Sequence, residues 1–197
     1  MTKKPLILVK HSLPRVLEDV PARDWTLSDE GRERAYTLAE KLNVYGAEII
    51  VSSMEPKARE TASILAKYLG LEYQVVEDLH EHDRSNSPHY SNDEFQKLIH
   101  EFFERPSALV FGTETAEQAL QRFRQALNST LDSYKDKTIV VVAHGTVTSL
   151  FVSWLTGCDG YELWKELGLP SFVVLDIQSR VLIKTENLHQ GASDGLH

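Results

Sequence analysis

Two histidines in this chain, His11 and His144, stand in matching contexts. His11 follows the unbroken apolar run Leu6-Ile7-Leu8-Val9 and Lys10, and precedes Ser12. His144 follows Thr138-Ile139-Val140-Val141-Val142-Ala143 and precedes Gly145. A lone histidine at the end of a strand is ordinarily structural; the same event twice points to chemistry. If the two strands are neighbours in a parallel sheet, both imidazoles reach one edge, where open α/β sheets bind ligands. A third apolar run ends at Ser52-Ser53 and leads into a helix that starts near Pro56 and carries Lys57 in its first turn. Free backbone N–H groups and the helix dipole favour an anion there. Singly, Lys10 and Lys57 read as solvated surface lysines; together with the histidines they suit a phosphate group. A neutral imidazole can attack phosphorus and its phosphorylated form can be hydrolysed. Fixed cations stabilise the charge on the phosphoryl oxygens in flight. Departure of the leaving group needs a proton, and Glu81, in the loop after the third strand, is the best-placed donor, ahead of Glu77, Asp78 and Asp83. Ser12, Gly145 and Thr146 beside the histidines complete the expected phosphate-binding set.

Other candidates carry blander readings. His80 and His82 form a His-x-His with Asp83 adjacent, which could ligate a metal from one face of an extended segment, but no third histidine in a fitting motif accompanies them. No metal or other cofactor is expected. His89, His100, His189 and His197 read as surface residues, and Phe95, Phe102, Phe103 and Phe123 as packing residues. Cys158, the only cysteine, lies in a Gly-Cys-Asp-Gly turn without a base partner in sequence. It allows no internal disulfide, which suits a reducing compartment.

The elements that must position these residues are legible as alternating strands and helices. Strands are expected at 6–9, 48–51, 73–76, 138–143, 171–176 and 181–186, with Gln178-Ser179 as the turn of a closing hairpin. Ser28 is a good N-cap for a helix over about 29–42, with Asp29, Glu30 and Glu33 in its first turn and Ala35, Leu38, Ala39 and Leu42 on one face. Further helices are expected at 56–69, near 92–104, near 114–134, after His144 to near Gly157, and around 160–167. This order predicts a three-layer α/β/α fold with a mostly parallel central sheet. The helical stretch within about 79–134 is an insert capping the active site. Residues 1–188 form one domain, and 189–197, rich in small and polar residues, a disordered tail.

The bulk properties bound the partners. At 197 residues, with 42% hydrophobic and 25% charged, the composition is that of a globular domain. The formal net charge of -8 argues against a nucleic-acid backbone or an anionic membrane as partner. No run approaches the roughly 18 apolar residues of a membrane span, and the opening apolar stretch is too short for a signal peptide. A cytoplasmic protein acting on a phosphorylated small molecule is expected. The hairpin near 171–186 could supply an edge strand for a homodimer.

Several segments resemble the histidine phosphatase superfamily, the phosphoglycerate-mutase-like family, in its bacterial phosphatase-type branch. Lys10-His11-Ser12 stands where the family has Arg-His-Gly. Trp25-Thr26-Leu27-Ser28-Asp29-Glu30-Gly31 is similar to its Trp-x-Leu-Thr/Ser-x-x-Gly segment. Ser52 to Ala62 is similar to its Ser-(x)3-Arg-Ala-x-x-Thr-Ala segment, Leu79-His80-Glu81 to its Leu-x-Glu, and Ala143-His144-Gly145-Thr146 to its second-histidine motif. The five pieces occur in the family's order across nearly the whole chain. The resemblance implies that His11 is the phosphorylated nucleophile, Glu81 the proton donor and then the base for water, and His144 a ligand of the phosphoryl oxygens. It places Lys10 and Lys57 where the family has two phosphate-clamping arginines, and Leu17 where many members carry a phosphate-contacting Asn. Lysine keeps the charge but loses the planar two-toothed fork; Arg15, Arg59 or Arg84 could compensate. The implied activity is a phosphomonoester hydrolase working through phosphohistidine without metal. The alternative is a weak or inactive member that binds a phosphorylated ligand, and the lysines motivate it. A mutase fits less well, because the insert is shorter than in the family's glycolytic mutases.

Overall fold

The computed structural model describes residues 4–88 and 90–188. The expected disordered tail and His89, His189 and His197 lie outside them. Six strands form one sheet: β1 (Leu6–Lys10), β2 (Ile49–Ser52), β3 (Tyr73–Val75), β4 (Ile139–Ala143), β5 (Ser171–Asp176) and β6 (Val181–Asn187). The order is β3-β2-β4-β1-β5-β6. The first four strands in that order run parallel, while β5 and β6 are antiparallel to their neighbours. Six helices cover it: α1 (Asp29–Asn43), α2 (Pro56–Leu69), α3 (Asn92–Glu104), α4 (Ala116–Ser133), α5 (Gly145–Thr156) and α6 (Gly160–Glu166).

The strands alternate between two cores, as period-2 side chains on a sheet covered on both faces must. Ile7, Val9, Ile50, Val140, Val142, Phe172 and Val174 pack with Leu38, Leu42, Ala62 and Leu65 of α1 and α2. Leu6, Leu8, Val51, Ile139, Val141, Val173 and Leu175 pack with Phe102, Phe123, Leu127, Phe151 and Trp164 from the other four helices. Of the four phenylalanines expected in the core, Phe95, Phe102 and Phe123 are buried and Phe103 is partly so. Ser28 caps α1 as expected, its Oγ accepting from the Gly31 N–H at 2.9 Å. Ser91 and Thr115 cap α3 and α4 in reciprocal capping boxes.

This topology sets the site. β1 and β4 are adjacent and in register, with Lys10 opposite Ala143. The next residue of each strand is a histidine, and the His11 N–H donates to the Ala143 carbonyl at 3.1 Å. β2 flanks β4 on its other side, and the Ser53 N–H donates to the Val142 carbonyl at 2.8 Å. Ser53, His144 and His11 therefore stand side by side at the carboxyl edge.

Candidate active site

The rings of His11 and His144 lie edge to face, 5.2 Å between centroids and inclined by 63°. Both are buried. His11 Nδ1 lies 2.8 Å from the Ser12 carbonyl, which can only accept, so Nδ1 carries hydrogen and Nε2 keeps its lone pair. Burial, reinforced by the charge of Lys57, holds the His11 pKa well below its ordinary value, so the ring is neutral at neutral pH. His144 is lowered to about 4, chiefly by burial, with Glu55 opposing.

Ser12 and Gly145, both expected at the phosphate, do different work. The Ser12 hydroxyl donates to the Gly31 carbonyl at 2.7 Å, and its N–H donates to Thr61 Oγ1 at 3.0 Å. Both donors thus tie the residue after His11 to α1 and α2 rather than facing an anion. Gly145 makes room for Lys10: a Cβ there would sit 3.2 Å from Lys10 Cε. The Lys10 ammonium donates to the Leu167 carbonyl at 2.7 Å, beyond the end of α6. Burial brings its pKa down to about 8, Glu81 opposing and Arg84 reinforcing.

Lys57 lies in the first turn of α2, where Pro56 predicts the helix to start, and it is buried rather than solvated. Its ammonium donates to the Ala22 carbonyl at 2.6 Å and pairs with Glu55 Oε2 at 2.7 Å. Glu55 escaped the sequence reading. Its position before Pro56 marks it as the N-cap of α2, yet its side chain makes no capping bond. The carboxylate instead turns into the site, where Oε1 accepts the Glu81 N–H at 2.8 Å and lies 3.4 Å from His144 Nε2. Burial raises the Glu55 pKa, but His144, Lys57 and the Glu81 N–H outweigh it and leave it below the ordinary value. Ser53 Oγ lies 2.8 Å from the same His144 Nε2.

Glu81 sits against the N-terminus of α5. Oε2 accepts the Thr146 N–H at 3.0 Å, and Oε1 accepts those of Val147 at 3.2 Å and His82 at 2.9 Å. Arg84 lies 3.6 Å from Oε2. Burial pushes this carboxyl up, but Arg84, His144 and the backbone N–H groups hold it well below the ordinary carboxylate range. Thr146 thus gives its N–H to Glu81, while its hydroxyl is buried without a partner among the described residues. Of the three arginines weighed as compensators, Arg84 reaches the site; Arg15 and Arg59 are exposed. Leu17 is 39% exposed, on the loop that Trp25 fastens by donating to the Leu17 and Val20 carbonyls.

The His80–Asp83 segment divides. His82 is a core histidine, its ring 4.3 Å from Phe102 and 4.7 Å from Phe111, with Nε2 3.1 Å from the Glu114 carbonyl. Among the described residues no group of three or more His, Cys, Asp or Glu is arranged to hold a metal. The loop carrying Glu81 is held by Arg122 of α4, a second residue the sequence did not disclose. Its guanidinium donates to the carbonyls of Asp78, His80 and Glu81 at 2.8, 3.0 and 3.3 Å, and pairs with Glu114 at 2.6 Å.

Comparisons with known proteins show the fold and the family. An uncharacterized phosphatase of Bacillus subtilis, PhoE, is 26% identical over 136 residues, which span 69% of this chain and 67% of that protein. A phosphoserine phosphatase mutant of Entamoeba histolytica in complex with phosphoserine superposes with a TM-score of 0.76 at 19% identity, covering 94% of this chain and 98% of that one. A mycobacterial glucosyl-3-phosphoglycerate phosphatase superposes with a TM-score of 0.71 at 22% identity, covering 87% and 89%. Residues 7–183 match the family model, and the chain belongs to the histidine phosphatase superfamily, branch 1.

Proposed function

We propose that the protein is a phosphomonoester hydrolase acting on a phosphorylated small molecule through a phosphohistidine on His11. The observation that carries this reading is the His11–His144 pair at the sheet edge, with the Nδ1 hydrogen of His11 engaged by the Ser12 carbonyl. An imidazole so held presents the Nε2 lone pair to phosphorus, and the low proton affinity of the buried ring keeps it a nucleophile at neutral pH. Lys10, Lys57 and His144 would stabilise the equatorial oxygens in flight. Lys10 and Lys57 stand for the family's two arginines, each offering a point charge where a fork would grip two oxygens.

Glu81 is ionised in the free site. That is the form needed in the second half-reaction, where a carboxylate takes a proton from the water that attacks phosphohistidine. In the first half-reaction it must carry a proton to the leaving oxygen, and a bound phosphoryl dianion beside it raises its proton affinity. The need for that proton grows with the basicity of the leaving group.

Hydrolysis of p-nitrophenyl phosphate and of an alkyl phosphate by the wild type, His11→Ala and Glu81→Gln tests both roles. The wild type should turn over both esters and form an acid-labile, alkali-stable phosphoprotein, and His11→Ala should do neither. Glu81→Gln should lose on the order of a hundredfold or more with the alkyl ester and less with the aryl ester. Equal turnover by wild type and His11→Ala removes the hydrolase reading; equal losses on both esters remove Glu81 as the acid.

A further inference from the structure

Glu55 is a buried carboxylate with no role in the chemistry described so far, and its surroundings are unusual. It stands at the start of a helix without capping it. Its Oε1 faces His144 Nε2 at 3.4 Å, beside Ser53 Oγ at 2.8 Å from the same nitrogen. Lys57 at 2.7 Å and the Glu81 N–H at 2.8 Å hold the carboxylate in place and ionised. The other nitrogen of the ring, His144 Nδ1, is buried and has no hydrogen-bond partner among the described residues. A buried ring nitrogen without a partner costs free energy unless a ligand completes it.

We propose that Glu55 is a positioning residue for His144: its carboxylate on the Nε2 side lets this imidazole take up a proton when a phosphoryl group arrives, leaving Nδ1–H to donate to an oxyanion oxygen. The inference rests on the hydrolase reading of the site. The balance is simple. The neutral ring gains one proton from solvent, Nε2–H is held by Ser53 and Glu55, and Nδ1–H meets the anion. In the free site burial keeps the ring neutral; an incoming dianion supplies the missing negative charge on the Nδ1 side, while Glu55 supplies it on the other. The groups that bear on this proton are Lys57 of α2, which opposes it, Glu81 and His80 of the loop after β3, which act in opposite senses, and the neighbouring His11 just past the end of β1. The site thus gains a positive charge on loading, which offsets the neutralisation of Lys57 by Glu55.

The test uses the full chain labelled with 15N-histidine, and inorganic sulfate, whose charge stays at two through neutral pH. The imidazole nitrogen shifts of His144, assigned with His144→Gln, report its protonation. In the wild type, saturating sulfate should raise the midpoint of His144 from about 4 to about 7, so that Nδ1 carries a proton at neutral pH. In sulfate-loaded Glu55→Gln the midpoint should fall by about one pH unit or more, a factor of ten in proton affinity. A wild-type midpoint unmoved by sulfate overturns the proposal, whether or not Glu55→Gln folds; so does an equal rise in the variant. A sulfate-linked proton on His144 in a chain that hydrolyses no ester beyond the His11→Ala level would sink the hydrolase reading and leave the Glu55–His144 pairing standing. Hydrolysis without that proton would do the reverse.

Discussion

Lys10 is packed between Gly145 and the Leu167 carbonyl, and burial brings its ammonium pKa down to about 8. A guanidinium in that place would stay charged across the working range of any enzyme. The difference has a definite sign. The charged form of Lys10 attracts the phosphoryl oxygens, a lowered pKa means the charge is lost as pH rises, and so kcat/KM should decline above about pH 8. Lys10→Arg should remove this alkaline limb, even if the larger fork displaces the Leu167 contact and alters the plateau. Initial rates with p-nitrophenyl phosphate between pH 6 and 10 decide it, since an alkaline limb shared by wild type and Lys10→Arg would belong to another group. None of this was legible from Lys10 in the sequence: the carbonyl its ammonium donates to, that of Leu167, is 157 positions away along the chain, and the charges that bear on it, Glu81 and Arg84, are equally non-local.

The helices and strands themselves were more legible than the contacts between them. Each β-run of the sequence is a strand, and α3 spans the expected residues, because buried runs, 3.6-residue periodicity and caps are local signals. Glu55 and Arg122 escaped because their roles are non-local. Glu55 looks like a helix cap and Arg122 like one of many polar residues on an amphipathic helix; only the docking of α2 and α4 on the loop after β3 reveals their partners. That docking makes a prediction at the level of elements. Arg122 joins α4 to three carbonyl groups of the 78–81 loop, those of Asp78, His80 and Glu81, and Glu114 neutralises it with both side chains 15% exposed. Arg122→Met leaves Glu114 as an uncompensated, largely buried charge and frees the loop that holds Glu81. The expected loss is about 3 kcal/mol in urea unfolding, with a fall in kcat larger than any change in KM. Pairing the change with Glu114→Leu should recover part of the stability, since no lone charge remains, but not kcat, since the carbonyls still lack their donor. Recovery of both by the second substitution would show that Arg122 serves charge balance and not the loop.

At the scale of the molecule, the burial that readies the site also makes the fold sensitive to acid. Three imidazoles, of His11, His82 and His144, are 7%, 2% and 0% exposed. Burial lowers all three, His82 and His144 to about 4. Unfolding returns each to about 6.5. Between those values the unfolded chain binds more protons than the folded one, so stability falls as pH falls. For His82 and His144 the contribution is complete above pH 6.5 and exhausted near 4, and each of these two is worth roughly 3 kcal/mol across that window; His11 acts in the same direction. Glu55 and Glu81, held below the ordinary carboxylate range, act in the same direction at lower pH: their contribution is present above about 4.5 and lost as pH falls through their folded values. The free energy of unfolding from urea melts should therefore drop steeply from pH 6.5 to 4. His82→Phe isolates one proton of that slope without touching the His11–His144 pair, because its ring fills the space between Phe102 and Phe111 and takes part in neither half-reaction. The variant should lose stability at pH 7.5, where the contact with the Glu114 carbonyl is missing, and converge on the wild type toward pH 4. Parallel curves would mean that His82 titrates alike in both states. The same curves bound the kinetics, since a rate lost below pH 6 reports protonation of His11 only where the urea melt shows the chain still folded.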